Sequence, residues 1–151
     1  LSVFGDRPGH ESEYETTCKK RLRDLLDERV AFHGTTPAIE VAETLSRTEV
    51  LLAPSLEEMF GNQFIEAVAV GADAIVSEGT ALAENSRRLR AGRVVTRDDA
   101  SALAVVIREA ITRPITPADR VERREALSGF IGPEAVALAH RRLYEQVLAS
   151  A

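Results

Sequence analysis

A chain of 151 residues is long enough for one domain with a sizeable core. Its 44% hydrophobic and 28% charged residues are ordinary for a soluble globular protein, and a net charge of −5 argues against a broad nucleic-acid-binding face. No apolar run approaches the roughly 20 residues that span a bilayer, and the single cysteine, Cys18, cannot form an internal disulfide, which favours a reducing compartment such as the cytoplasm.

Strand-like runs fall at 1–4, 30–33, 50–53, 74–77 and 93–96, and helical patterns separate them. That alternation predicts an α/β fold, a Rossmann-like parallel sheet with flanking helices. After the first run, Tyr14, Cys18, Leu22, Leu25 and Leu26 recur at helical spacing and predict one inward stripe, with Cys18 in the core. Thr36 and Pro37 read as a helix cap and first-turn proline, after which Ile39, Ala42 and Leu45 should face the sheet. Leu103, Val106, Ile107 and Ala110 form a later stripe. Pro114 and Pro117 end that helix and mark a turn. Gly132 and Pro133 open a last amphipathic helix with Val136, Leu143 and Val147 on one side. The pattern predicts a single domain over residues 1–151, with no internal repeat.

The most informative stretch lies between the third and fourth strands. Pro54, Ser55 and Glu58 lead to Phe60-Gly61-Asn62-Gln63, and Glu66 follows eight positions after Glu58. Strand, polar turn and helix therefore carry one carboxylate on the turn and one on the helix. Carboxylates accept hydrogen bonds from hydroxyls, and the free N–H groups of a helix start favour phosphate. A sugar nucleotide, a polyol on a diphosphate, needs both.

These residues resemble the motif of retaining glycosyltransferases with the GT-B fold, the family of sucrose synthases and bacterial polysaccharide glycosyltransferases. That family reads Pro-Ser, two residues, Glu, then Phe-Gly, then a second Glu eight after the first, followed by Ala. Val3-Phe4-Gly5-Asp6, Val30-Ala31-Phe32-His33-Gly34, the helix from Glu66 to Gly71, the strand at 74–77, Gly92-Arg93-Val94-Val95, the helix start at Asp98-Asp99 and a closing helix from Phe130 to Tyr144 fit the same pattern in order. The resemblance implies the donor-binding C-terminal half of such an enzyme. It implies that residues 1–151 are a single, partial nucleotide-sugar-binding domain, that Glu58 accepts a hydrogen bond from a donor-sugar hydroxyl and is the catalytic candidate, and that Glu66 accepts from the ribose hydroxyls. It also implies that Phe60, Gly61, Asn62 and Gln63 bring backbone N–H groups to the sugar and diphosphate. No cofactor is implied beyond the nucleoside diphosphate sugar itself as donor substrate, and no metal.

The pattern also departs from the family. A donor half normally begins with an earlier strand and helix bearing an Arg and a Lys that hold the diphosphate, so this chain reads as lacking its first strand and helix and the acceptor domain. The partners implied are a sugar nucleotide and a missing N-terminal acceptor domain or a partner chain, with peripheral membrane association of the parent and no nucleic acid. In a sheet ordered 3-2-1-4-5-6 the missing strand is central, so the first and third strands here should pair directly or accept another polypeptide. The 151 residues alone are expected to transfer no sugar. Met59 stands where a small residue or Pro is usual, which affects pocket shape, and Asp73 stands where Pro is usual.

Each candidate also has a plainer reading. Glu58 could be an exposed turn carboxylate, Glu66 a polar edge of an apolar helix, and 60–63 a simple capped turn; Glu57 reads as solvated. His10, His33 and His140 lack metal-ligand spacing, and His33 at a strand end is either a ligand contact or a structural histidine. Arg87, Arg88, Arg90 and Arg93 form either a phosphate patch or a solvated, charge-balanced face. Gly5 and Gly9 flank a loop with no Gly-Lys-Ser/Thr after it, so it is no nucleoside-triphosphatase loop. The rivals to a glycosyltransferase are a sugar-nucleotide epimerase of the same fold and a non-catalytic interaction module that keeps it.

Overall fold

The computed structural model describes residues 1–5 and 12–150; Asp6, Gly9 and His10, singled out above, lie outside the described residues. The chain divides into two compact units, Leu1–Glu43 and Thr44–Ala151.

In the first unit, β1 (Ser2–Phe4) runs parallel to β2 (Ala31–Gly34), with Ser2 opposite Ala31 and Val3 opposite Phe32. Helix α1 (Glu13–Leu26) connects them through a 3₁₀ turn at Asp27–Arg29. Ser12 starts α1 with a capping box: its hydroxyl accepts from the Glu15 N–H at 3.1 Å, and the Glu15 carboxylate accepts from the Ser12 N–H at 2.8 Å. The apolar stripe is narrower than the spacing predicts. Cys18, Leu22 and Leu26 are half-buried, whereas Tyr14 and Leu25 are 78% and 70% exposed. A helix of this length is about 21 Å long and outruns strands of three or four residues, so they cannot cover its whole length. Leu25 lies about 60° around the helix from Leu22, the centre of the 18–22–26 row. The Arg23 guanidinium lies 4.8 Å above the Phe32 ring and covers part of the strand instead.

Helix α2 (Ala38–Ser46) follows. Val41 and Leu45, four apart, turn inward, while Ile39 is 67% exposed and Ala42 is exposed, so the expected inward set is corrected to one row.

The second unit carries β3 (Val50–Ala53), α3 (Asn62–Val70), β4 (Asp73–Ser77), α4 (Ala81–Leu89), β5 (Arg93–Val95), α5 (Ala100–Thr112), α6 (Pro117–Ile131) and α7 (Pro133–Ala149). Its sheet is parallel and ordered β3-β4-β5. All five residues of central β4 are buried, as expected of a strand covered on both faces. The two-residue period divides the core. Ala74 and Val76 pack with Phe64, Val68, Leu82, Ala83, Leu89 and Leu127. Ile75 and Val95 pack with Ala110, and Leu103, Val106 and Ile107 of α5 join them as the sequence stripe predicts. Helices on both faces of a parallel sheet make this the doubly wound arrangement.

The strand neighbours are those of the 3-2-1-4-5-6 order, in pieces 3-2 and 4-5-6. β1 pairs with β2 and β3 with β4. Each strand keeps the neighbour that this order assigns it. Residues 117–131 form a helix where the two prolines predict only a turn. Pro117 occupies the first helical position, and Thr116 and Asp119 close a capping box, the hydroxyl accepting from the Asp119 N–H at 3.2 Å and the carboxylate from the Thr116 N–H at 2.8 Å. Gly132 and Pro133 open α7 as the sequence predicts, so the stretch from Phe130 to Tyr144 is divided between α6 and α7, and Val136, Leu143 and Val147 of the expected stripe are exposed.

Asp73, at the amino end of β4, is 2% exposed and receives two guanidinium groups. Arg93 Nε of β5 donates to Oδ2 at 3.0 Å, and Arg123 Nη1 of α6 to Oδ1 at 2.8 Å. The remaining arginines of the sequence patch are spent separately. Arg87 pairs with Glu78 at 3.1 Å, Arg88 stacks 3.9 Å above Phe130, and Arg90 ends α4 in the left-handed conformation. The patch therefore resolves into a buried strut and local surface contacts.

Candidate functional site

The carboxyl ends of β3, β4 and β5 carry the loops of the second unit, which is where ligands bind in open parallel sheets. Beyond Ala53 the chain crosses residues 54–60, reverses at Gly61 and enters α3. Gly61 has φ +79° and caps α3 without a side chain. Only a glycine takes this conformation freely, and a Cβ there would meet the Leu82 side chain at 1.7 Å. The Phe-Gly turn is thus a place where backbone packs directly on the core.

Three donors from elsewhere in the fold hold this loop. The Ala81 N–H donates to the Glu58 carbonyl at 3.1 Å, Asn85 Nδ2 to the Phe60 carbonyl at 3.1 Å, and Arg97 Nη1 to the Leu56 carbonyl at 3.2 Å. Sequence reasoning missed all three. Asn85 is buried inside α4 and Arg97 lies 41 positions beyond its partner, so no local spacing announces either.

The Glu58 carboxylate folds back onto the turn that follows it. Oε1 accepts from the Met59 N–H at 3.1 Å and the Phe60 N–H at 3.5 Å, and Oε2 accepts from Gln63 Nε2 at 3.1 Å. The Gln63 carboxamide first, then the Phe60 amide, and after them the Met59 and Gly61 amides hold its carboxyl below the ordinary carboxylate range, while burial pushes the other way. Glu58 is therefore an ionised acceptor at the mouth of the turn. Met59 beside it is 95% exposed and Phe60 half exposed, so both stand at the rim.

Helix α3 buries Phe64, Ala67 and Val68 and leaves Asn62 and Glu66, one turn apart, exposed on its outer edge. Glu66 is thus an open acceptor rather than a group sunk among its apolar neighbours. The Phe64 and Ile65 N–H groups already bond to the Gly61 carbonyl at 3.0 and 3.4 Å. Ahead of them, the Asn62 and Gln63 N–H groups have no acceptor among the described residues, which leaves the positive end of α3 open to an anion. All six candidates, Glu58, Phe60, Gly61, Asn62, Gln63 and Glu66, thus lie on one turn and the first turns of one helix.

A cavity of about 220 Å³ opens beside this loop, lined by Pro54, Ser77, Val95, Thr96, Asp98, Asp99, Ala100 and Leu103. It sits over the ends of the same three strands. Asp99 is occupied as the cap of α5, its Oδ1 accepting from the Ala102 N–H at 2.8 Å. In the first unit His33 is exposed and stacks on Phe4 with ring centroids 4.5 Å apart, which favours the structural reading of that histidine. No group of three or more His, Cys, Asp or Glu side chains with metal-binding geometry occurs among the described residues, and among them no helix is long and apolar enough to cross a membrane.

A parallel sheet flanked by helices, with an open helix start beside Glu58 and Glu66, has the architecture of the C-terminal Rossmann-like half of the GT-B fold. The chain belongs to the family of glycosyl transferases group 1, whose profile matches residues 1–113. Its fold is similar to that of sucrose-phosphate synthase from Thermosynechococcus elongatus, at 28% identity and a TM-score of 0.81 over 100% of this chain and 39% of that one. Anabaena HepE, solved in complex with UDP, aligns at 20% identity and a TM-score of 0.73 over 98% of this chain and 40% of its own. WaaG, a glycosyltransferase involved in lipopolysaccharide biosynthesis, aligns at 21% identity and a TM-score of 0.63 over 88% of this chain and 34% of its own. The chain thus spans about 40% of the first of these neighbours. Comparison with curated proteins finds no match.

Proposed function

We infer that the chain is the donor-binding part of a retaining glycosyltransferase that moves a sugar from a nucleoside diphosphate sugar to an acceptor hydroxyl without a metal. The observation that carries this reading is the pair of carboxylates, half-buried Glu58 and exposed Glu66, on either side of a helix start with no side-chain cap. In this reading both units belong to one partial nucleotide-sugar-binding domain, and an acceptor-binding domain or partner chain completes the enzyme. The diphosphate meets the open Asn62 and Gln63 N–H groups and the positive end of α3. Glu66 accepts from the ribose hydroxyls, and Glu58 accepts from a hydroxyl of the donor sugar. The protein positions the donor and stabilises charge on the leaving diphosphate, while that leaving group assists attack on the same face. HepE structures with UDP and with UDP-glucose support the choice of uridine nucleotides as probes.

Calorimetry with UDP and GDP tests the assignment. A hydrogen bond to a charged group is worth about 1.5–3 kcal/mol, so Glu66→Ala should weaken affinity for the preferred nucleotide by about one to two powers of ten. Glu58→Gln should leave affinity for the bare diphosphate nearly intact and lower turnover of the sugar nucleotide by the complete enzyme. An unchanged nucleotide affinity in Glu66→Ala would remove the ribose assignment. Equal loss of bare-nucleotide binding in both variants would remove the division of labour.

A further inference from the structure

Gln63 stands five residues after Glu58, a spacing that brings no side chains together on a helix. They meet because Gly61 turns the chain back on itself in the left-handed conformation. The contact is a 3.1 Å hydrogen bond whose polarity is unambiguous. An ionised carboxylate only accepts, so the carboxamide nitrogen must face it and the carboxamide oxygen must point away.

The geometry limits what Glu58 can still do. A carboxylate offers about four lone-pair directions. Met59 and Phe60 N–H groups take two on Oε1, and Gln63 takes one on Oε2. The Gly61 N–H also acts on the carboxylate, and Oε2 accepts only from Gln63 among the hydrogen bonds of the described residues. Beside Oε2 stand the second amide hydrogen of Gln63 and its carboxamide oxygen, for which no partner occurs among the described residues. Both side chains are only partly buried, so this face of the pair is accessible.

We propose that Gln63 is the positioning residue of this site: it fixes the accessible Glu58 carboxylate through Oε2 and presents its own carboxamide alongside, so that the pair recognises two neighbouring hydroxyls of a sugar. One hydroxyl donates to Glu58 Oε2. The adjacent hydroxyl bonds to the Gln63 carboxamide, which both donates and accepts. Recognition by two rigidly related groups discriminates more strongly than one free carboxylate, because a misplaced hydroxyl leaves a polar group unpaired. This rests on the donor-binding reading for its ligand but not for its geometry.

Gln63→Leu keeps the size and helix propensity of the side chain and removes its donors. The first arm follows the Glu58 side-chain carboxyl by carbon-detected NMR through an acid titration of the chain. Gln63 is the largest cause holding this carboxyl low, so its midpoint should move upward in Gln63→Leu; an unmoved midpoint overturns the proposal. The titration reads the hydrogen bond itself, whatever its role, and the second arm separates a role in sugar recognition from a merely structural one. The second arm measures affinity for UDP-glucose relative to UDP in a double-mutant cycle with Glu58→Gln. Gln63→Leu should cut the UDP-glucose preference about tenfold when Glu58 is present and hardly at all when residue 58 is Gln. Equal effects in both backgrounds overturn the coupling. If the unaltered protein binds neither nucleotide, the donor-binding reading fails, while the titration still decides whether Gln63 positions Glu58.

Discussion

Asp73→Ala should destabilise the second unit by about 3 kcal/mol or somewhat more, the lower part of the range for breaking a buried ion pair. Asp73 is 2% exposed and holds Arg93 and Arg123 at 3.0 and 2.8 Å. Without it two guanidinium groups face each other across a site that water reaches poorly. The lower part of the range applies because the Arg93 and Arg123 side chains are 26% and 16% exposed and can partly rehydrate. Arg93 also keeps a 2.9 Å bond from Nη2 to the Arg113 carbonyl. For a unit of this size the melting temperature should fall by roughly 10 °C. Glu78→Ala, which removes a pair exposed by 58% on both sides, should cost no more than about 1 kcal/mol. Urea unfolding of both variants makes the comparison. Equal, small losses would show that the strut joining β4, β5 and α6 carries no more than a surface pair.

Such a strut could not be read from the sequence, and the reason is general to the fold. Asp73 meets Arg93 and Arg123 at separations of 20 and 50 residues, which no periodicity records. What was legible is local. β4 and β5 are short runs rich in branched residues bounded by glycines, and they appear within one residue of expectation. The stripe of α5 matched because a long helix over a sheet must turn one face inward. The α1 and α2 stripes matched less well, since a periodic pattern names a face but not how much sheet lies under it. α6 was missed because two prolines three apart read as punctuation. The Thr116 and Asp119 box, in which Pro117 is the favoured first residue, was the signal available to find it. At the site, the positions of Glu58 and Glu66 were readable from strand, turn and helix. Their different environments were not. Glu58 is tied into its own turn through a contact that a left-handed glycine creates, while Glu66 stands free on the outer edge of α3. Burial of a carboxylate follows from its angular place on a helix, not from the hydropathy of its sequence neighbours.

Gly61→Ala should damage stability and site together. A methyl group at this position lies 1.7 Å from Leu82 Cδ2 and 2.8 Å from Cγ, far inside contact distance. Leu82 is fully buried in the core with Phe64, Val76 and Ala83, so it cannot swing aside. The left-handed backbone adds about 1–2 kcal/mol for any residue with a Cβ, and overpacking a filled core adds about 1–3 kcal/mol. The expected loss is therefore about 2–5 kcal/mol. Gly79→Ala separates the two contributions. Gly79 has φ +75° but nothing within 4 Å of a Cβ, so its variant should lose only the backbone part. Leu82→Ala in the Gly61→Ala background should relieve the clash and return part of the difference, which a non-additive double-mutant cycle would record. Function should suffer beyond stability. Gly61 is the pivot that returns Gln63 to Glu58 and aims the α3 N–H groups, and a shift of the turn moves all of them at once. UDP affinity measured well below the unfolding midpoint should therefore fall in Gly61→Ala and remain near normal in Gly79→Ala. Equal stability losses in the two glycine variants would mean that the chain at Gly61 yields to the methyl group, and that the close packing of this turn on Leu82 does not hold the site in place.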